Sequence, residues 1–386
     1  MKEENLYSLQ QTRVLFLCTG VGIFNRGIES FFREAFDGLR ETPGLEATVC
    51  KGAGETKADE HVLWNLPRTG HLAYWLGRCI RRSAYVAEQL SSFPTAVRAI
   101  RKYRPHVIFY SDSNLGFLLH RWRRQIGVPY RLLFSNGGPC HPPFNRTDFV
   151  HQVAPQYLNE ALSAGESCNK HFMLPYGIKV SAAPASDAKV KSSLRAKLGL
   201  PQERPIVLSV GWIARKHKRM DYVIEEMARL PEPRPFLQLL GAMDAHSHEV
   251  IALGREMLGE ANFSARSVPY EEVADYYRAS DLFTLASLQE GFGRVYLEAL
   301  MHGLPVIAHR HPVMDYVLGM EGIFGDLQSP GTLALLIQQT LERPSSPGSE
   351  LNRWHSVKER FSWPVLAQQY LKMFQNCAER PLDSVF

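Results

Sequence analysis

Short apolar runs recur along the chain, each followed by a glycine-bearing loop and then by apolar residues at helical spacing. Residues 14–18 (VLFLC) form the first run, and its unbroken apolar character fits a strand covered on both faces. A loop over 19–27 follows, and Phe31, Phe32, Ala35, Phe36 and Leu39 then mark one face of a helix over 28–40. Further strands are expected at 107–110 and 131–134, each after a helix-like stretch. The segment 173–178 (MLPYGI) and the polar, alanine-rich residues 179–197 mark a junction. A second series of strands starts at 206–210 (IVLSV) and continues at 236–240 (FLQLL), 281–286 and 305–308. The order predicts an α/β protein with two Rossmann-like, doubly wound halves facing a central cleft, spanning 1–178 and 179–362. A last helix within 363–386, with apolar Val365, Leu366, Tyr370, Leu371 and Phe374, is expected to return to the first half.

The most informative stretch is 280–309, SDLFTLASLQEGFGRVYLEALMHGLPVIAH. A buried strand runs into Gly291-Phe292-Gly293, where the backbone can turn sharply, and a helix over 294–302 follows before Gly303 and a second strand. A helix N-terminus preceded by glycines exposes unpaired N–H groups along the helix dipole, which favours a phosphate. Glu290 lies in the turn, placed to accept hydrogen bonds from sugar hydroxyls, and Glu298 lies one turn into the helix, placed to grip a ribose. The bland reading is a tight turn with two solvated carboxylates.

The spacing from Glu290 to Glu298, with EGFG, LEAL and GLPVIA in order, resembles the E-x7-E signature of the retaining glycosyltransferases of family four (glycosyl transferases group 1), which have the two-domain GT-B fold. The resemblance implies that Glu290 faces the donor hexose, that Glu298 faces the nucleotide ribose, and that Gly291, Phe292 and Gly293 line the donor site. It also implies that the backbone around Val268, in 267–276 (SVPYEEVADY), reads the nucleobase. The loop 211–221 (GWIARKHKRMD) concentrates Arg215, Lys216, Lys218 and Arg219 after a strand, where a diphosphate would lie. The family's loop reads G-R-L-x-x-x-K-G. By resemblance the lysine role falls on Lys218; Trp212 replaces the usual arginine, and Arg215 is taken as its substitute. A solvated basic turn is the alternative.

Acceptor-side motifs are sparser. Gly20 and Gly22, then Asn25-Arg26-Gly27-Ile28-Glu29, are similar to a variant loop in some members that contacts the acceptor or donor phosphate, which brings in Gly22, Arg26 and Gly27. Asp112 lies just past the carboxyl end of the strand expected at 107–110, and 135–151 (SNGGPCHPPFNRTDFVH) looks like a cleft-lining segment of one branch of the family. His141 and His151 are candidates to shuttle protons there, or serve structure only.

Composition narrows the picture. No apolar run of the 386 residues is long enough for a membrane span, and the opening MKEENLYSLQQTR lacks a signal-peptide layout, so a cytoplasmic protein is expected. Six scattered cysteines without a Cys-x-x-Cys pair argue against a zinc site or a disulfide framework. Residues 1–180 carry 22 Lys and Arg against 15 Asp and Glu, and the excess gathers in 61–104, where eight basic residues and several aromatics accompany one acid, Glu88. That segment suits peripheral contact with an anionic inner membrane surface, or simply helices with solvated arginines. No nucleic-acid partner is expected.

The function expected from the resemblance is retaining, metal-independent transfer of a hexose from a nucleotide diphosphate sugar, UDP-hexose first, to an acceptor hydroxyl on a lipid or small metabolite. No cofactor or bound metal is implied. The alternatives are a nucleotide-sugar 2-epimerase of the same architecture and a non-catalytic sugar-nucleotide-binding protein.

Overall fold

The computed structural model describes residues 11–380 apart from 25, 139, 185, 186, 344, 345 and 347. Asn25 and the two chain ends of the expected domain boundaries therefore lie outside the described residues. The chain forms two compact units, one running to Lys179 and taking the chain up again at Phe361, the other Val180–Arg360.

The first unit is built on seven parallel strands: β1 (Thr12–Cys18), β2 (Leu45–Lys51), β3 (Glu60–Val62), β4 (Val107–Tyr110), β5 (Arg131–Asn136), β6 (Phe149–Gln152) and β7 (His171–Met173). Their order is β3-β2-β1-β4-β5-β6-β7. The chain winds from β1 outward to β3, then returns to place β4 on the other side of β1. Strand β1 is buried on both faces, as its apolar run predicts. Phe16 on β1 meets Phe36 of the helix Gly27–Leu39, Phe109 of β4 and Phe374 of the closing helix Trp363–Glu379, all edge to face at 5.6–6.1 Å. The closing helix thus belongs to this unit, and an isolated bridge between Ile178 and Ser362 ties its start to the first unit's last residues. Trp363 lies so close to Gly38 and Gly177 that a Cβ at either would fall 2.4 or 2.7 Å from the indole.

The second unit has six parallel strands: β8 (Ile206–Val210), β9 (Phe236–Leu240), β10 (Phe263–Arg266), β11 (Leu282–Leu285), β12 (Val306–His309) and β13 (Gly322–Gly325). Their order, β10-β9-β8-β11-β12-β13, repeats the winding of the first sheet, with the reversal between β8 and β11. In an open parallel sheet the loops that leave two neighbouring strands in opposite directions open a crevice at the carboxyl ends. Each unit therefore carries one such position: β1 with β4, and β8 with β11.

Candidate functional site

In the second unit the crevice lies between the loop 211–219 after β8 and the loop 286–293 after β11. Lys218 donates from Nζ to Glu290 Oε1 at 2.5 Å across it, and both side chains are largely buried. The alkyl part of Lys218 lies over Gly211, which has no side chain to displace it. Arg219, from the same loop, donates to the carbonyl oxygens of Leu327 at 2.7 Å and Ala286 at 3.4 Å, so it fastens the β8 loop to the β11 loop. Arg215 points elsewhere: it is half-exposed, with its Nε 3.9 Å from Glu249. Trp212 is likewise half-exposed.

The turn after β11 is held open by its glycines. Gly293 has φ of +80°, and a Cβ there would fall 2.8 Å from Tyr296 Cδ2 and 2.9 Å from Met314 Cε. Phe292 is buried beneath the turn. Gly293 is the N-cap of the helix Arg294–Met301 and offers it no capping side chain, so the helix opens toward the loop with its positive dipole end. Tyr296 OH donates to Leu285 O at 2.9 Å and fixes that helix to the end of β11. The Ser287 hydroxyl is buried in the same loop with no hydrogen-bond partner among the described residues. A buried polar atom left over in this way is a group that a ligand can satisfy.

Glu298 is set by two neighbours. Tyr277 OH donates to Glu298 Oε2 at 3.1 Å, and His302 stacks on the Tyr277 ring at 5.3 Å with the planes 8° apart. The His302 Nδ1 lies 2.7 Å from Glu298 O; a carbonyl only accepts, so Nδ1 carries the proton. Burial pushes the Tyr277 phenol well above its ordinary range, and the Glu298 carboxylate adds to it, so the hydroxyl stays a donor. Val268 is half-buried between β10 and the helix Tyr270–Ala279, at the carboxyl edge of the same sheet.

The first unit carries a second polar cluster where β1 and β4 diverge. Asp112, just past β4, accepts from Thr19 N at 2.6 Å and from Tyr85 OH at 3.0 Å. Burial raises its pKa, and the Thr19 bond acts against that shift. Glu29 is also raised by burial, with the Arg68 charge opposing, and its carboxylate presses on Gly20, where a Cβ would fall 2.5 Å away. Arg68 grips Glu88 and lies over the rings of Phe24 and Tyr85 at 4.5 and 4.0 Å. Gly22 has a left-handed φ of +82°, and a Cβ there would meet Ala53 O at 2.4 Å, so both backbone and space favour glycine. Arg26 is exposed, its guanidinium 4.8 Å from the centre of the Phe24 ring, and Gly27 opens the helix that follows.

The two histidines part company. His141 is exposed, 3.8 Å from Glu160. His151 is fully buried within β6, its Nε2 bonded to Leu174 O at 2.8 Å and its Nδ1 to Ser135 Oγ at 3.2 Å. The Leu174 carbonyl fixes the proton on Nε2, and burial holds the ring neutral with its pKa down at about 4. His151 is a strand residue satisfied inside the core, not one presented to a ligand.

The sequence singled out Lys218, Glu290, Glu298 and the glycines. It passed over Ser287, Tyr277 and the tethering role of Arg219. Only His302 carried a readable signal, since it sits four residues after Glu298 on the same helix face.

Two parallel, doubly wound sheets in one chain place the protein in the GT-B class of α/β folds. Residues 190–355 match the family Glycosyl transferases group 1, and the chain carries a domain of that family. It is similar to mannosylfructose-phosphate synthase of Agrobacterium fabrum, with 27% identity over 62% of this chain and 55% of that protein. It is also similar to alpha-monoglucosyldiacylglycerol synthase of Streptococcus pneumoniae, with 29% identity over 64% and 60%. The chain spans about half the length of the curated relatives it matches. Among solved structures, Anabaena HepE in complex with UDP and glucose shares the fold, with a TM-score of 0.73 at 18% identity over 94% of this chain and 99% of that one.

Proposed function

We propose that the protein transfers a hexose from a nucleotide diphosphate sugar to an acceptor hydroxyl with retention at the anomeric carbon. The observation that carries this reading is the Lys218–Glu290 contact across the β8/β11 crevice, beside the uncapped helix Arg294–Met301. One N–H of the Lys218 ammonium is engaged by Glu290, and its other donors suit diphosphate oxygens. The helix N-terminus and the unpaired Ser287 hydroxyl add further donors. Glu298, oriented by Tyr277, suits a ribose diol, and the backbone at Val268 suits a nucleobase edge. Arg215, half-exposed beside Glu249, is the proposed second cation of the loop.

As the anomeric C–O bond to the diphosphate breaks, charge grows on the leaving oxygen, and preorganised donors lower the barrier most where that charge develops. Glu290 orients the hexose hydroxyls. The acceptor oxygen attacks from the face the diphosphate leaves, its proton passes to the departing phosphate oxygen, and no carboxylate forms a covalent intermediate. The donors named above supply the positive charge, so the reading calls for no metal ion or cofactor. A UDP-hexose is the first choice, in keeping with the UDP and glucose bound by HepE. The first unit, with Asp112, Gly22, Arg26, Gly27 and His141 near the carboxyl edge of its sheet, is proposed to take the acceptor, a lipid or metabolite alcohol.

The test is a thermal-shift panel of UDP-, GDP- and ADP-hexoses, followed by an assay of the stabilising donor for slow hydrolysis and for transfer. A selective shift is expected, because a ligand that binds only the folded state must raise its stability. Donor release without retention in the product would reject the retaining mechanism. No shift with any donor would reject the function.

A further inference from the structure

We propose that the first unit docks on an anionic lipid surface through residues 64–82. The proposal goes beyond the transfer reaction and does not depend on it.

The helix His71–Cys79 is patterned inside out. Its buried residues are Ala73 and Gly77, the smallest on the helix, whereas Leu72, Tyr74 and Trp75 are exposed. Gly77 permits this arrangement: a Cβ there would fall 2.9 Å from the backbone of Arg82 and Ser83, so the helix lies directly on the turn that follows it. A helix of a globular protein ordinarily turns its large apolar side chains inward. Here Trp64 and Trp75 are each 63% exposed, and Ile80 continues the surface. Tryptophan and tyrosine have an apolar body with a polar edge, which suits the headgroup region of a bilayer better than water or hydrocarbon alone.

Charge points to the same phase. No acidic residue lies between Glu60 and Glu88, and both of these are buried and paired, with Lys51 and Arg68 respectively. Arg78, Arg81 and Arg82 are exposed around the aromatic residues. Arginines flanking exposed aromatics are complementary to an anionic interface, and a purely apolar partner surface would leave three cations desolvated. No helix among the described residues is long and apolar enough to cross a membrane, so the contact is peripheral.

The test is sedimentation of the purified full chain with vesicles of phosphatidylcholine alone and of an equimolar mixture with phosphatidylglycerol. Binding to the mixed vesicles only, weakened by salt, is expected. Each arginine near an anionic surface favours binding about fivefold, so Arg78→Gln, Arg81→Gln and Arg82→Gln together should weaken it about a hundredfold. Trp75→Ser should weaken it with charge unchanged. All four positions are exposed, and an unaltered melting temperature checks that the variants fold. Binding equally to both vesicle types, or unchanged in both variants, would overturn the proposal. So would failure to bind vesicles accompanied by self-association that Trp75→Ser abolishes, which would assign the face to a second copy of the chain.

Discussion

Lys218 and Glu290 meet at 2.5 Å although 72 residues separate them, and their contact spans the two strands between which the second sheet reverses. In the proposed reaction this contact orients the ammonium for phosphate and the carboxylate for sugar hydroxyls.

Glu290→Ala is expected to lower turnover on the order of a hundredfold, as loss of one preorganised polar contact does, while the protein remains folded. Transfer near the wild-type rate by a folded Glu290→Ala protein would remove Glu290 from the mechanism.

Glu298 is predicted to act on binding rather than on chemistry. Glu298→Ala should weaken nucleotide affinity about tenfold, and Tyr277→Phe should follow it in part, because the phenol donates to Glu298 Oε2. Titration of UDP into the two variants measures this, and unchanged affinity in Glu298→Ala would dismiss the ribose assignment.

Gly293→Ala should destabilise the fold by about 1–3 kcal/mol through its left-handed backbone, and the crowding by Tyr296 and Met314 should displace the turn. A fall in melting temperature together with weaker donor binding is expected. A variant as stable as the wild type would show that the turn relaxes freely.

His151 makes the first unit acid-sensitive. Its folded pKa of about 4 lies below the ordinary 6.5, so between those values the unfolded chain binds a proton that the folded chain excludes. Its contribution is therefore complete above about pH 6.5 and lost as pH falls toward 4, amounting to about 3 kcal/mol. Denaturant unfolding across that range should show this slope in the wild type and a shallower one in His151→Gln. Equal slopes would contradict the buried, neutral imidazole.

How much of this was legible in the sequence depends on what each strand is made of. The runs VLFLC, VIFY, IVLSV and FLQLL announced β1, β4, β8 and β9 because burial on both faces demands nearly continuous apolar side chains. Strand β6, FVHQ, did not, since half of it is polar; His151 is satisfied by Ser135 and the Leu174 carbonyl, and Gln152 by Asn136 and His171. Strand β2 hides behind Lys51, whose charge is cancelled by Glu60, and β10 (FSAR) and β13 (GIFG) are four-residue edge strands with at most two large apolar side chains each. In the cationic loop the sequence could count four basic residues but could not apportion them. Lys218 turns to Glu290, Arg219 to two carbonyl oxygens and Arg215 to Glu249. Ser287 carried no pattern at all, because an unsatisfied hydroxyl is visible only once its surroundings are packed.

Tyr370 and Phe374 of the closing helix fill the first sheet's aromatic core, and they follow the whole of the second unit in the sequence. The second unit, continuous over Val180–Arg360, can close before the closing helix is made. The first unit cannot, because β1 and β4 wait with Phe16 and Phe109 uncovered until Phe374 arrives. The unit that begins first is therefore completed after the second, and a chain broken off near residue 360 would display the bare face of an unfinished core.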